Sequence, residues 1–211
     1  MKKVWYAPNK HEAYGEEEIK AVEQCLKDGW LAGFGPRSIE FEEKIAKQFG
    51  KKFGVFVNSG SSACLLALAA LDLPKGSKVL TPALTFSTTL APIIQLGYKP
   101  IFIDSNLTSY VPNVDDILKA VLDKEELFDL GRFDIYLIED SADTVTYTEE
   151  SDVSTTSFYA SHVITAGGMG GMVMFNDEKH VKRALMYRDW GRIGDNSENM
   201  DERFAHNVDG L

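Results

Sequence analysis

Apolar positions first recur at helical spacing. In residues 15–28, GEEEIKAVEQCLKD, Ile19, Val22 and Leu26 fall on one face behind acidic residues suited to a helix N-terminus, which predicts a surface helix. Ser38 to Phe49 repeats the pattern with Ile39, Phe41, Ile45 and Phe49, and stops at Gly50. From residue 53 onward short apolar runs alternate with helical stretches. Strands are predicted over 53–60 (FGVFVNSG), 78–84, 99–104, 135–140, 155–161 and 170–176, and helices over 61–71, 88–97, 115–128 and 177–189. This alternation marks βαβ units and a mainly parallel sheet in an α/β protein. The tail from Gly191 to Leu211 is polar and unpatterned. The expected organisation is one unit over 1–211, with a helical segment 1–50, a sheet core 51–190 and an irregular tail 191–211.

Composition narrows the choice of partner. The net charge is −10 and the basic residues are scattered, which argues against nucleic acid or an anionic membrane. Cys25 and Cys64 lie far apart with no CxxC spacing, so neither a zinc site nor a disulfide framework is indicated. No apolar run approaches the ~18 residues of a membrane helix, and the N-terminus lacks the apolar core of a signal peptide. A cytoplasmic protein is expected, with no metal site.

In sheets of this kind the ligand lies beyond the carboxyl ends of the strands. Several chemically suggestive residues stand there. VNSGSSACLLALAAL reads as strand, Gly/Ser turn and apolar helix, where free amides with the Ser61 and Ser62 hydroxyls suit a phosphate; a serine N-cap without ligand is the plain alternative. Asp140 ends the strand IYLIED, and its carboxylate suits a cationic ring nitrogen or a metal, or is simply a solvated loop acid. Phe86 follows a strand, placed either to stack on a planar ring or to fill the core. His162 is a histidine beside this loop system, structural unless its context says otherwise. The run Gly167-Gly168-Met169-Gly170-Gly171 calls for backbone at positive φ or in close approach.

Taken in order, the segments resemble the DegT/DnrJ/StrS group of fold-type-I, pyridoxal-phosphate-dependent sugar-nucleotide aminotransferases and dehydratases. GWLAGFGPRSIEFEEKIAKQFG is similar to the group's N-terminal motif, VNSGSSACLLAL to its phosphate turn and LTFSTTLAPI to its aromatic-stacking loop. LIEDSAD is similar to its aspartate strand, SFYASHVITAGGMGGMV to its lysine loop and YRDWGR to the motif after it. The resemblance implies a three-layer α/β/α large domain with a mainly parallel mixed sheet and without the C-terminal small domain. It implies that Gly60, Ser61, Ser62 and Ser157 meet the cofactor phosphate, that Phe86 stacks on the ring and that Asp140 holds the ring nitrogen. Asp143 stands where the aminotransferases often carry a glutamine near the ring hydroxyl.

The group's cofactor-bonding lysine lies five residues after the phosphate-binding serine, and here that position is His162. Imidazole cannot bond the cofactor but titrates near neutrality and can exchange protons. The substitution resembles the 3-dehydratases that act on nucleotide-linked 4-keto-6-deoxyhexoses with pyridoxamine phosphate. One branch of these uses an iron–sulfur cluster, which takes about four cysteines. With two cysteines, and Ala142 in the aspartate motif, this chain resembles the cluster-free branch that draws its amine from glutamate. The resemblance further implies a homodimer, or a partner chain supplying the small domain. The segments 104–140 and 140–157 are shorter than in the group, and the alternative is an aminotransferase-like protein that binds cofactor or a partner without catalysis.

Overall fold

The computed structural model describes residues 14–29, 35–122 and 135–192. Helix α1 (Glu16–Asp28) has the expected amphipathic pattern but buries nothing, its Ile19, Val22 and Leu26 all being exposed. Helix α2 (Pro36–Gln48) begins two residues before the predicted start, because Pro36 occupies its first turn behind Gly35, a position where the missing N–H costs nothing.

Strand β1 (Phe53–Val57) leads into α3 (Gly60–Leu71), and β2 (Lys78–Pro82), α4 (Ser87–Gln95) and β3 (Lys99–Ile103) follow. Next come α5 (Val114–Leu122), β4 (Ile138–Asp140), β5 (Val153–Ser157), β6 (Gly171–Phe175) and α6 (Glu178–Arg188). The predicted helix 115–128 is described only as far as Leu122, and the tail only as far as Arg192. Strand β5 runs 153–157 rather than 155–161, since its ladders with β4 and β6 close at Ser157.

The order of the larger sheet is β1-β6-β5-β4, and β2 and β3 form a separate two-stranded sheet. The α/β class holds, with a mixed sheet. Pairs β2–β3 and β4–β5 are parallel, whereas β6 runs antiparallel to both β1 and β5. The reason lies in the connection: the loop from β5 to β6 contains no helix, and parallel neighbours need a longer crossover.

Helices cover both faces of the larger sheet, making three layers with it. Side-chain alternation sends Val55, Val153, Val173 and Phe175 to one face, where they pack with Ala63, Leu66, Ala67 and Ala70 of α3 and with Val181 and Ala184 of α6. Met172 and Met174 point the other way, onto Ile45, Ala46 and Phe49 at the end of α2. Helix α3 is apolar on all sides and is accordingly packed against the sheet, α4 and α6 at once. Each fully buried leucine there contributes about 1.5–3 kcal/mol by leaving water. Glu42 of α2 and Arg188 of α6 form a largely buried ion pair at 2.8 Å, and the Phe56 N–H donates to the same Glu42 oxygen, so helices on opposite faces are joined past the edge strand. No helix among the described residues is long and apolar enough to cross a membrane.

Candidate active site

The carboxyl ends of β4 and β5 lie side by side, with Asp140 in register with Thr155. Thr155 and Ser157 share one face of β5, because alternate residues of a strand do. Helix α3 begins on that face. Ser59 is its N-cap: its Oγ accepts from the Ser62 N–H at 3.1 Å and donates to Ser62 Oγ at 3.0 Å. The cap expected of a serine turn is thus made by Ser59, and it engages Ser62. The amides of Gly60 and Ser61, in the first turn, have no intrahelical carbonyl to meet.

Gly60 sits tightly against Ser157. A Cβ at position 60 would lie 2.7 Å from Ser157 Cβ and 3.1 Å from its Oγ, so only glycine lets the turn approach the serine. The Ser157 Oγ accepts from the Tyr159 N–H at 3.3 Å, which leaves its own proton for another acceptor. The glycine run behaves as expected, Gly167, Gly168 and Gly170 all having positive φ. At its end Gly171 passes so close to the Ser59 carbonyl that a Cβ would stand 2.3 Å away.

Both oxygens of Asp140 are engaged. Oδ1 accepts from Thr155 Oγ1 at 3.2 Å and Oδ2 from Thr89 Oγ1 at 2.7 Å. The Cys64 sulfur lies 3.7 Å from Thr155 Oγ1, and burial together with the Asp140 charge pushes its thiol up to about 12. Phe86 precedes α4 as its N-cap residue and is 73% exposed, so it is not a core residue here.

His162 follows Ser157 in the loop to β6. Its N–H donates to the Tyr159 carbonyl at 2.9 Å, and the Tyr159 ring meets the imidazole edge-on at 5.8 Å between centroids. Nε2 lies 3.5 Å from Asp143 Oδ1, whereas Nδ1 is buried without a hydrogen-bond partner among the described residues. Asp143 is thereby tied to His162.

Thr89 and Thr155 are the residues that motif reading passes over. Thr155 is recoverable as the residue two before Ser157 on the same strand face, and Thr89 as the third residue after Phe86, one helical turn on. Ser59 stood in the predicted turn, without its capping role. Among the described residues no group of three or more His, Cys, Asp or Glu is arranged to hold a metal ion.

Comparison with known proteins gives the family. Residues 12–127 and 130–210 match the DegT/DnrJ/EryC1/StrS aminotransferase family. The chain belongs to this family. It is 32% identical over 209 residues to the dTDP-4-dehydro-2,6-dideoxy-D-glucose 3-dehydratase of Saccharopolyspora spinosa, covering 84% of this chain and 45% of that protein. It is 30% identical to the GDP-perosamine synthase of Escherichia coli O157:H7, covering 88% of this chain and 57% of the relative. Among solved structures, the E. coli GDP-4-keto-6-deoxy-D-mannose-3-dehydratase with bound hydrated PLP superposes with a TM-score of 0.79 at 26% identity, over 98% of this chain and 62% of that one. The chain spans about half the length of the curated relatives it matches. Relatives of both chemistries, dehydratase and amino-sugar synthase, therefore stand at similar identity.

Proposed function

We propose that this chain carries the cofactor-binding site of a pyridoxamine-phosphate-dependent 3-dehydratase acting on a nucleotide-linked 4-keto-6-deoxyhexose. The observation that carries the reading is His162, which stands five residues beyond Ser157 where an aminotransferase needs its lysine, with Nε2 beside a carboxylate.

The residues present fit the cofactor. The close packing of Gly60 on Ser157, with first-turn amides of α3 at hand, suits a phosphate. Asp140, held by two hydroxyls, suits a protonated ring nitrogen, and the exposed ring of Phe86 suits stacking on a flat heterocycle. Bound here, the cofactor would supply an amine that condenses with a ketone and a ring that accepts electron density.

The chain's own residues then divide the work. Gly60, Ser61 and Ser157 hold the phosphate, with Ser62 fixing the turn through Ser59. Asp140 keeps positive charge on the ring nitrogen, and Phe86 holds the ring plane. His162 moves a proton at Nε2, since Nδ1 is sealed, and the Asp143 carboxylate stands 3.5 Å from that nitrogen. Glutamate would be the amine donor, with no iron–sulfur cluster, and the proposed setting is a homodimer or a complex with a partner chain in the cytoplasm.

Adding pyridoxal phosphate and then glutamate tests the proposal. Binding followed by a shift of the cofactor absorbance to that of the amine form is the expected result. His162→Asn should leave cofactor affinity nearly unchanged and slow the half-reaction with the keto-sugar by about 10²–10⁴-fold. Absence of binding at millimolar cofactor would leave a non-catalytic relative instead.

A further inference from the structure

We infer that Thr89 is a positioning residue that sets Phe86 and Asp140 at a fixed separation, and so sets the slot between them into which a flat, nitrogen-protonated ring fits. The inference rests on the proposed roles of Phe86 and Asp140, but the geometry stands without them.

Two bonds meet at Thr89. Its N–H donates to the Phe86 carbonyl at 3.0 Å, and its Oγ1 donates to Asp140 Oδ2 at 2.7 Å. Phe86 and Thr89 belong to the unit built on β2 and β3, whereas Asp140 ends β4 of the larger sheet. Among the described residues no strand pairing joins these two sheets. In a continuous sheet a backbone ladder would hold the loop after one strand in place relative to the end of the next. Here the Thr89 hydroxyl bonds across that junction to Asp140, from the first turn of α4, where helix geometry fixes it relative to Phe86 three residues earlier.

The bond also leaves the carboxylate in one orientation. With Oδ2 committed to Thr89 and Oδ1 to Thr155, Asp140 cannot turn about its terminal torsion without losing a charge-assisted hydrogen bond. A valine at position 89 matches threonine in shape and removes the donor. A serine keeps the donor and drops a methyl group.

The test is a double-mutant cycle on the full chain, combining Thr89→Val with Asp140→Asn, and Thr89→Ser as the conservative control. The first readout needs no cofactor: amide hydrogen exchange over 86–90. Thr89→Val should raise exchange there about 10-fold and Thr89→Ser no more than about 2-fold, in line with loss of one hydrogen bond to a charged group. The second readout is pyridoxal phosphate affinity. Thr89→Val should weaken binding about 10-fold when Asp140 is present and less than about 2-fold when residue 140 is asparagine, because a positioning residue acts through its partner. Equal loss of affinity in both backgrounds, or unchanged exchange in Thr89→Val, would overturn the inference. Failure of the wild-type chain to bind the cofactor would count against the proposed function alone, with the exchange result still deciding the role of Thr89.

Discussion

His162 Nε2 stands 3.5 Å from Asp143 Oδ1, and the two side chains differ sharply in exposure, 19% for the histidine and 77% for the aspartate. A polar contact with so exposed a partner is worth about 0–1 kcal/mol to the fold. Asp143→Asn is therefore expected to leave the urea midpoint nearly unchanged while slowing the proton transfer assigned to His162, by a smaller factor than His162→Asn. A large loss of stability with unaltered kinetics would make the pair structural.

Gly60→Ala places a methyl group 2.7 Å from Ser157 Cβ. Overpacking of this kind costs about 1–3 kcal/mol, and the turn must shift away from the serine. Both stability and pyridoxal phosphate affinity should fall. Adding Ser157→Gly removes the atoms in the way, so it should restore much of the stability while leaving affinity low, because the hydroxyl is gone. Thermal unfolding and cofactor titration of the four cycle members measure this; additive stability losses would contradict the close contact.

Burial and the Asp140 charge hold the Cys64 thiol at about 12, far above the range in which thiolate forms near neutrality. In the native chain at pH 8 a thiol reagent should modify Cys25, on the exposed helix α1, and spare Cys64 until the protein unfolds. Asp140→Asn should speed the reaction of Cys64. Rapid native labelling of both cysteines would contradict the packing of α3 over Thr155.

Burial raises the carboxyl of Glu42 above its ordinary 4.5, against the opposing pull of the Phe56 N–H and Arg188. The sign follows from linkage. A folded-state value above the unfolded one means that the folded chain takes up the proton first as pH falls, so the contribution is fully present below 4.5 and is lost as pH rises through the folded value. The wild type should gain stability relative to Glu42→Gln as pH is lowered from neutrality toward that window, measured by urea unfolding. A difference independent of pH would place Glu42 in a more solvated setting.

Much of the fold is legible in the sequence because its signals are local. The apolar spacing of α1 and α2, the all-apolar α3 after a serine turn, and the short runs that become β1, β2, β3 and β6 each reflect one element's own burial. The register of β5 is less so, since Val153 and Ser154 become strand residues by pairing with Ile138 and Glu139 on one side and with Phe175 and Met174 on the other. The separation of β2–β3 from the larger sheet is a matter of topology, which no window of residues contains. The site shows the same division. Gly60, Ser157, Asp140 and His162 stand at or shortly after strand ends and could be singled out in order, whereas Thr89 matters only because folding brings it to Asp140. Phe86, whose apolar side chain suits a core as well as a stacking surface, needed its exposure to be known.

The central claim is that His162 occupies the position from which a lysine would reach a cofactor held by Gly60, Ser157, Phe86 and Asp140. Replacing His162 with lysine tests it most directly, using pyridoxal phosphate, borohydride reduction and peptide mass analysis. The account expects His162→Lys to acquire a new visible absorbance with the cofactor and, after reduction, a covalent adduct on residue 162, with no such adduct on the wild-type chain. No adduct in the variant, or one on a lysine elsewhere in either chain, would contradict the placement of the cofactor and of His162 together.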